Sequence, residues 1–181
     1  GGEIWVSDGT ESGTEMLRDV CPESCSSVPL ILGTTSRLVF WASSSEGEGS
    51  ETGTIWRSDG TRQGTFPLSP QVAFHQRVLH EEYAFLGDLL LFEGCDAIEG
   101  CGLWRTDGTS EGTVLLQEFP RPFEPQPYAL TAAGNQIFYL LDSPENVALW
   151  RTDGTAAGTV QLKVFESGDP EEITVAGGRI F

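Results

Sequence analysis

Short apolar segments separated by polar turns run along the whole chain, and the clearest set lies within residues 128–165. Its first segment, YALTAA, is built of small residues, and its second, IFYLL, is continuously apolar. VALWRT alternates in part, and TVQLKVF alternates between apolar and polar positions. Short runs with a period of two, bounded by Gly, Asp and Asn, predict β-strands joined by tight turns. We therefore expect four strands here, with the second buried on both faces.

Two landmarks of this unit recur along the chain with the same period. One is a strand and turn, written IWVSDGTESGT, IWRSDGTRQGT, LWRTDGTSEGT and LWRTDGTAAGT in its four copies. Its tryptophans are spaced by 51, 48 and 46 residues, and they are Trp5, Trp56, Trp104 and Trp150. The other is an apolar strand, written TSRLVFW, GDLLLF, GNQIFYLL and GGRIF. Agreement between two landmarks identifies an internal repeat.

A four-stranded unit that repeats every 46–51 residues is typical of the β-propeller blade. A β-solenoid would need shorter coils, and an immunoglobulin-like sandwich would not repeat its turn sequence at this period. The sequence therefore predicts an all-β fold and a single repeat array over residues 1–181. Residues 1–20 would hold strands three and four of one blade, and residues 173–181 strands one and two of another. The complete blades are expected at residues 28–68, 79–119 and 128–165.

The two half-blades leave two architectures open. They could pair as a fourth blade and close a small ring, or the chain could be an arc of a larger propeller. Phe181 stops in mid-strand when compared with IFYLLD, and the first residues, GGEIW, lack an initiator Met. Four blades is also the lower end of the range for propellers. We favour the arc, in which the remaining blades of the same chain would be partners.

The recurring turn is expected to be structural. Its aspartate can accept backbone N–H bonds from the residues that follow, as in an Asx turn, and Gly108 and Gly112 of the third copy can supply positive φ. Calcium loops present several carboxylates at alternating positions, whereas this turn offers one Asp, so we expect no metal and no cofactor. The aspartates would close the loop between strands three and four, and they are Asp8, Asp59, Asp107 and Asp153. The four motif tryptophans would be packing anchors between blades.

The composition restricts the possible partners. The chain has 27 acidic and 10 basic residues, which gives a net charge of −17. Because this charge repels phosphate groups, we expect no nucleic-acid partner. No run of 18 apolar residues exists, so we expect no membrane insertion. The 22 Gly, 10 Pro, single Met and single Lys agree with an all-β class.

The four cysteines form two close pairs, Cys21 with Cys25 and Cys95 with Cys101. An even number in close pairs favours two local disulfides and an oxidising compartment, hence a secreted or cell-surface location. The second bond would close the hairpin between strands two and three of its blade, and the first would lie between blades. Four reduced thiols are the alternative. Zinc is not expected, because neither spacing is C-x2-C and both histidines are distant in sequence.

The motif also resembles a known family. LWRTDGT at Leu103 and its three siblings, each followed by x-x-Gly-Thr and preceded by an apolar strand of the type G-x-x-(I/L)-F, are similar to the ELWxxDGT repeat proteins. These are large secreted or surface-associated bacterial proteins, sometimes described as hyalin-like, and the similarity covers essentially the whole chain. The resemblance implies a propeller-like array with an extracellular binding or adhesion role. The cysteine pairs and the acidic loop Ser43–Gly53 depart from the pattern, and a fold does not fix a chemistry.

The residues do not predict an active site. His75 and His80 lie in one segment without a partner nucleophile, and no G-x-S-x-G elbow exists. The turns are reminiscent of the Asp-box turns of sialidases, but such a site needs paired acids and clustered arginines. Arg57, Arg105 and Arg151 each follow a motif Trp and recur with the repeat. This recurrence favours a structural role, in which the arginines cover the motif tryptophans, and disfavours a role in binding carbohydrate.

We therefore expect a non-catalytic, extracellular repeat scaffold for binding or adhesion. Its blades would hold variable loops on a shared frame, where a protein or glycan ligand is recognised by loop composition. These loops are Ser43–Gly53, Ser69–His80 and Pro120–Pro127. The alternatives are a carbohydrate-binding, lectin-like propeller and a glycan-processing, sialidase-like enzyme.

Overall fold

The regular structure of the chain is entirely β-strand in the part that the computed structural model describes. That part comprises residues 3–19, 30–44, 52–68, 73–75, 83–96, 100–119, 126–166 and 170–181. All elements in these ranges are strands, so the all-β class is confirmed. The same ranges contain no helix of the length and apolarity needed to cross a membrane. The chain divides into two compact units, Gly1–Gln76 and Arg77–Phe181.

The first unit contains a hairpin and a sheet. Its strands are β1 (Ile4–Val6), β2 (Glu15–Arg18), β3 (Leu30–Thr34), β4 (Val39–Ser44), β5 (Thr52–Ser58), β6 (Phe66–Pro67) and β7 (Ala73–His75). β1 and β2 form an antiparallel hairpin. β3, β4, β5 and β6 form a four-stranded antiparallel sheet in chain order, within the range predicted for the first complete blade. β7 pairs with the beginning of β5, at Thr52 and Gly53.

The second unit contains two four-stranded sheets and a hairpin. Its strands are β8 (Tyr83–Leu86), β9 (Leu89–Asp96), β10 (Gly100–Thr106), β11 (Val114–Glu118), β12 (Gln126–Ala133), β13 (Gln136–Asp142), β14 (Val147–Thr152), β15 (Val160–Phe165), β16 (Val175–Ala176) and β17 (Arg179–Ile180). β8 to β11 and β12 to β15 are antiparallel sheets in chain order. β16 and β17 form the hairpin. The β8–β11 sheet lies within the predicted range 79–119, whereas β12 begins at Gln126, before the predicted start of the range 128–165.

The second strand of each sheet in this unit has a continuous run of buried residues, at positions 90–94 of β9 and 139–141 of β13. Leu90 and Leu91 of β9 have no exposed surface, and Ile137, Tyr139 and Leu140 of β13 are equally enclosed. Because successive strand residues point to opposite faces, a continuous buried run means that both faces are covered. This is the environment expected from the continuously apolar segment IFYLL.

The two four-stranded sheets of the second unit pack face to face. Their shared core is formed by buried apolar side chains from both, among them Leu91, Leu103, Leu116, Leu130, Ile137, Tyr139 and Leu141. The Tyr139 hydroxyl donates a hydrogen bond to Oε1 of Gln117 on β11, and Trp150 stacks on the Tyr139 ring. On its opposite face, the β12–β15 sheet packs Ala129, Leu140 and Val147 against Tyr128, Phe165 and Ile173, among others. Of these side chains, Ile173 is the one that comes from outside the sheet.

Candidate functional site: the repeated Asp-Gly-Thr turn

The Asp-Gly-Thr turn has the same hydrogen-bond network in all four copies. In the copy after β10, Asp107 Oδ1 accepts bonds from the Thr109 N–H at 2.9 Å and from the Thr109 hydroxyl at 2.7 Å. Thr109 Oγ1 accepts a bond from the Gly112 N–H at 2.9 Å, and the Thr113 hydroxyl donates to the Thr109 carbonyl at 2.7 Å. The other copies repeat these bonds with nearly the same lengths. Each aspartate therefore closes its turn from within.

A pair of hydroxyls at the base of the turn completes the network. Thr106 Oγ1 lies 2.8 Å from Thr113 Oγ1 and accepts a bond from the Gly108 N–H at 3.0 Å. Because the Thr113 hydrogen is donated to a carbonyl, Thr106 is the donor within the pair. The equivalent pairs are Ser7–Thr14, Ser58–Thr65 and Thr152–Thr159. Sequence reasoning missed this role, although every copy has Ser or Thr before its Asp and Thr at its end.

The two glycines of each turn are needed for different reasons. The first has φ between 85° and 91° in the four copies, a region that side chains with a Cβ rarely adopt. Gly112 is not in that region, so the expectation that it supplies positive φ is wrong. A Cβ on Gly112 would overlap the Asp107 carboxylate, which packs directly against the glycine. The second glycine therefore makes room for the aspartate, in this copy and in the other three.

The turn aspartates are held as carboxylates. The pKa of each is lowered from its ordinary value, first by the hydrogen bond from the Thr hydroxyl two residues later, and also by the bond from the same residue's backbone N–H. Such bonds to a charged acceptor are stronger than neutral ones. A general acid needs the opposite shift, because it has to keep its proton at the working pH. The turns thus supply anchored carboxylates and no proton donor.

Metal binding by the turns has little support from this geometry. Oδ1 of each aspartate already accepts two hydrogen bonds from protein donors, for example from Thr109 to Asp107. Calcium prefers six to eight oxygen ligands, whereas each turn offers a single aspartate carboxylate. In the part of the chain that the structure describes, no group of three or more His, Cys, Asp or Glu side chains is placed to hold a metal.

The four motif tryptophans lie in different environments. Trp104 is buried, and its indole N–H donates a hydrogen bond to the Gly94 carbonyl at 3.0 Å. Trp150 is partly buried and stacks on Tyr139 with a centroid distance of 6.4 Å. Trp56 is partly buried, whereas Trp5 is 61% exposed. Identical motif positions therefore differ in packing, and this difference could not be predicted from the motif.

Three of the four turns have an arginine two residues before their aspartate. Arg57 places its guanidinium 4.2 Å from the ring centroid of Phe66, a cation–π contact. Arg57, Arg105 and Arg151 each contribute, as a smaller cause, to the lowered pKa of the aspartate two residues later in the chain. Arg57 therefore covers an aromatic ring, and each of the three arginines balances the charge of its turn aspartate. His75 lies in β7, and His80 lies outside the described residues.

The predicted hairpin disulfide is present. Cys95 and Cys101 are bonded and lie directly opposite one another on β9 and β10. The predicted Cys21–Cys25 pair lies outside the described residues, as does most of the loops Ser43–Gly53, Ser69–His80 and Pro120–Pro127.

A groove of about 520 Å³ lies between the β12–β13 turn and the C-terminal hairpin. Its walls include Gly134 and Phe138 on one side and Val175, Arg179 and Ile180 on the other. The lining is thus mainly apolar, with one cationic side chain. No carboxylate lines it, so it lacks the paired acids that glycoside hydrolysis needs.

Comparison of the chain with protein-family models, with curated proteins and with solved structures found no match.

Proposed function

We propose that this chain is a non-catalytic repeat scaffold for binding or adhesion, secreted or held at a cell surface. The observation that carries the proposal is the turn network. In all four copies, the Asp, Thr and Gly residues that the copies share are engaged in internal hydrogen bonds, as Asp107 and Thr109 are. Side chains used in this way stabilise a frame. Recognition is then left to the residues that vary between copies.

We further propose that the sheets are blades of a β-propeller of the ELWxxDGT type. Support comes from three properties: four strands in chain order, a second strand buried on both faces, and face-to-face packing of the β8–β11 and β12–β15 sheets. Trp5 and Phe181, in the two terminal hairpins, are 61% and 72% exposed. Further blades of the same chain would cover these side chains, as expected for an arc.

The surface of the turns favours a variable binding frame. The two residues between Thr and the second Gly differ in each copy, and in the third and fourth copies they are Ser110-Glu111 and Ala156-Ala157. They lie on exposed turns, fixed by the network beneath them. A rigid frame with variable tips lowers the entropy lost on binding. A protein or glycan ligand would be selected by these positions and by the variable loops.

The charge and the disulfide favour particular partners and a location. A net charge of −17 favours neutral or cationic ligands and disfavours nucleic acid. The Cys95–Cys101 bond agrees with an oxidising, extracellular compartment.

A lectin-like function is the second candidate. It is favoured by the groove beside the C-terminal hairpin, where Phe138 and Arg179 offer an aromatic ring and a hydrogen-bond donor of the kind that sugars use. A sialidase-like enzyme is less well supported, because the turn carboxylates have lowered pKa values and the arginines are spread one to a turn.

The test is to screen the intact chain on glycan and extracellular-protein arrays, with and without calcium, and to assay glycan hydrolysis. Protein binding without hydrolysis is expected for the adhesion scaffold. Glycan binding that is lost in Arg179→Gln, but kept in the control Arg62→Gln on an exposed turn, would instead support the lectin. Hydrolysis would contradict the non-catalytic assignment. Failure to bind on either array would contradict a binding function.

A further inference from the structure

Every turn of this repeat contains an Asp-Gly peptide bond, which is chemically labile in a flexible chain. The backbone nitrogen of the glycine can attack the aspartate side-chain carbonyl carbon. A C–N bond forms and the C–O bond to the hydroxyl of the protonated carboxyl group breaks. The hydroxyl takes up the hydrogen of the glycine nitrogen and leaves as water, which gives a succinimide. Addition of water to either ring carbonyl then yields aspartate or isoaspartate. Glycine favours the attack because it has no side chain to hinder its nitrogen.

The turn network opposes this reaction at both reacting atoms. In the third copy the Gly108 N–H is held by the Thr106 hydroxyl, so the nitrogen is engaged in a hydrogen bond. The Asp107 carboxylate is held by the N–H and the hydroxyl of Thr109 and packs against Gly112. Attack requires the nitrogen to be released and the carboxylate to rotate towards it. Both movements break bonds that the fold has made.

The bond that holds the glycine nitrogen is buried to different degrees in the four copies. It is buried at Gly108 and Gly154, where the accepting Thr106 and Thr152 have no exposed surface. It is partly buried at Gly60 and fully exposed at Gly9. Water competes for exposed hydrogen bonds, so these open most often. The four copies share Asp-Gly-Thr, so burial and not local sequence separates them.

We propose that, in the folded 181-residue chain, Asp8-Gly9 is a site of spontaneous isoaspartate formation, and that the buried networks protect Asp107-Gly108 and Asp153-Gly154. Asp59-Gly60 is intermediate. Isomerisation at Asp8 inserts an extra methylene into the backbone and removes the carboxylate from the Thr10 donors. The first turn would then lose its closing bonds as the protein ages, while the other turns stay intact. Water is the only co-reactant, and the net reaction is an isomerisation.

The first test is to age the intact chain at neutral pH and body temperature and to quantify isoaspartate at each turn by peptide mapping. Four synthetic peptides with the turn sequences serve as references, and we expect them to isomerise at similar rates. In the chain, isomerisation relative to the matching peptide should be several-fold faster at Asp8 than at Asp107 and Asp153. Equal protection at all four turns, or faster reaction at Asp107 than at Asp8, would overturn the proposal.

The second test removes the hydroxyl that holds the glycine nitrogen. Thr106→Val should accelerate isomerisation at Asp107 several-fold, while Asp153 in the same molecule serves as the internal control. Thr106→Ser, which keeps the hydroxyl, should leave the rate unchanged. If Thr106→Val does not fold, Ser58→Ala, which removes the hydroxyl that holds the Gly60 nitrogen in a partly buried bond, supplies the same comparison at Asp59. A folded variant without acceleration would show that the network does not protect the bond.

Discussion

At the scale of single residues, the positions that the four Asp-Gly-Thr turns share are explained by local geometry. Asp107 accepts two bonds from Thr109, Gly108 adopts positive φ, and Gly112 leaves space for the carboxylate. The Thr106 hydroxyl accepts a hydrogen bond from the Gly108 N–H. Because these requirements are local, the same sequence produces the same turn four times.

The two glycines of a turn should therefore respond differently to the loss of the aspartate. Gly112→Ala should destabilise the chain by about 2 kcal/mol, because its Cβ overlaps the Asp107 carboxylate. In an Asp107→Ala background the same change should cost almost nothing. Gly108→Ala should cost about 1–3 kcal/mol in both backgrounds, because its strain lies in φ. Urea unfolding of the two double-mutant cycles measures this, and additive effects at Gly112 would contradict the steric explanation.

The turn carboxylates should also make stability depend on acid pH. Their pKa values are lowered on folding, so their contribution is present above the unfolded value of about 4 and is lost as pH falls through the lower folded value. Asp153→Asn keeps an acceptor oxygen for Thr155 but cannot be protonated in this range. Denaturant unfolding between about pH 5 and pH 2 should therefore show a shallower loss of stability in Asp153→Asn. An unchanged slope would mean that this carboxylate is not coupled to folding.

At the scale of the strand, identical motifs take on different roles because their neighbours differ. β10 and β1 each carry the motif Trp. Trp104 is buried and hydrogen-bonded to the Gly94 carbonyl, whereas Trp5 is exposed. The β10 strand is also tied to β9 by the Cys95–Cys101 bond. A motif strand is therefore stabilised by the sheet in which it lies, and its sequence only makes this packing possible.

The contrast between the two tryptophans gives a matched pair of substitutions. Trp104→Phe removes the indole bond to the Gly94 carbonyl and part of a buried ring, and should destabilise the chain by about 2–3 kcal/mol. Trp5→Phe should change stability by less than about 0.5 kcal/mol, because the side chain is mainly exposed. Thermal and urea unfolding of both variants would measure the difference. Equal effects would imply that Trp5 is packed in solution.

At the scale of the molecule, the second unit is held together by a core that belongs to two sheets. Leu103 of β10 packs in one cluster with Leu130 and Tyr139 of the neighbouring sheet. Tyr139 also bonds to Gln117 across the same interface. Since neither sheet can bury this face alone, the two should fold as one cooperative unit.

Removing one side chain from this core should therefore weaken both sheets. Leu103→Ala is expected to cost about 2–5 kcal/mol, because it leaves a cavity in a fully buried site. Hydrogen exchange should show faster exchange in β9 and β10 and also in β13 and β14. The control Leu162→Ala, at a position that is 45% exposed, should change little. Faster exchange confined to the β8–β11 sheet would contradict a shared cooperative unit.

Much of the fold could be predicted because strand periodicity and turn chemistry are local. The alternation in VALWRT and TVQLKVF corresponds to β14 and β15, and the continuous run IFYLL corresponds to the buried β13. The hairpin disulfide followed from the spacing of Cys95 and Cys101. For the candidate site, the aspartate's role in closing the turn could be read from Asp-Gly-Thr. The hydroxyl pairs could not be predicted, and neither could the need for Gly112 to leave space for the aspartate. Both depend on atoms that come together only when the turn closes.

The sequence by itself determined the all-β class, the strand order and the four turns, since these depend on period-two patterning and on residues a few positions apart. Only the tertiary structure decided which copies are buried. Trp104 and Trp5 occupy one motif position, as do Gly108 and Gly9, yet one of each pair is enclosed and the other is exposed. Burial depends on the surfaces that lie against a residue, and these come from segments distant along the chain. The copies are therefore alike in sequence and unequal in burial once folded.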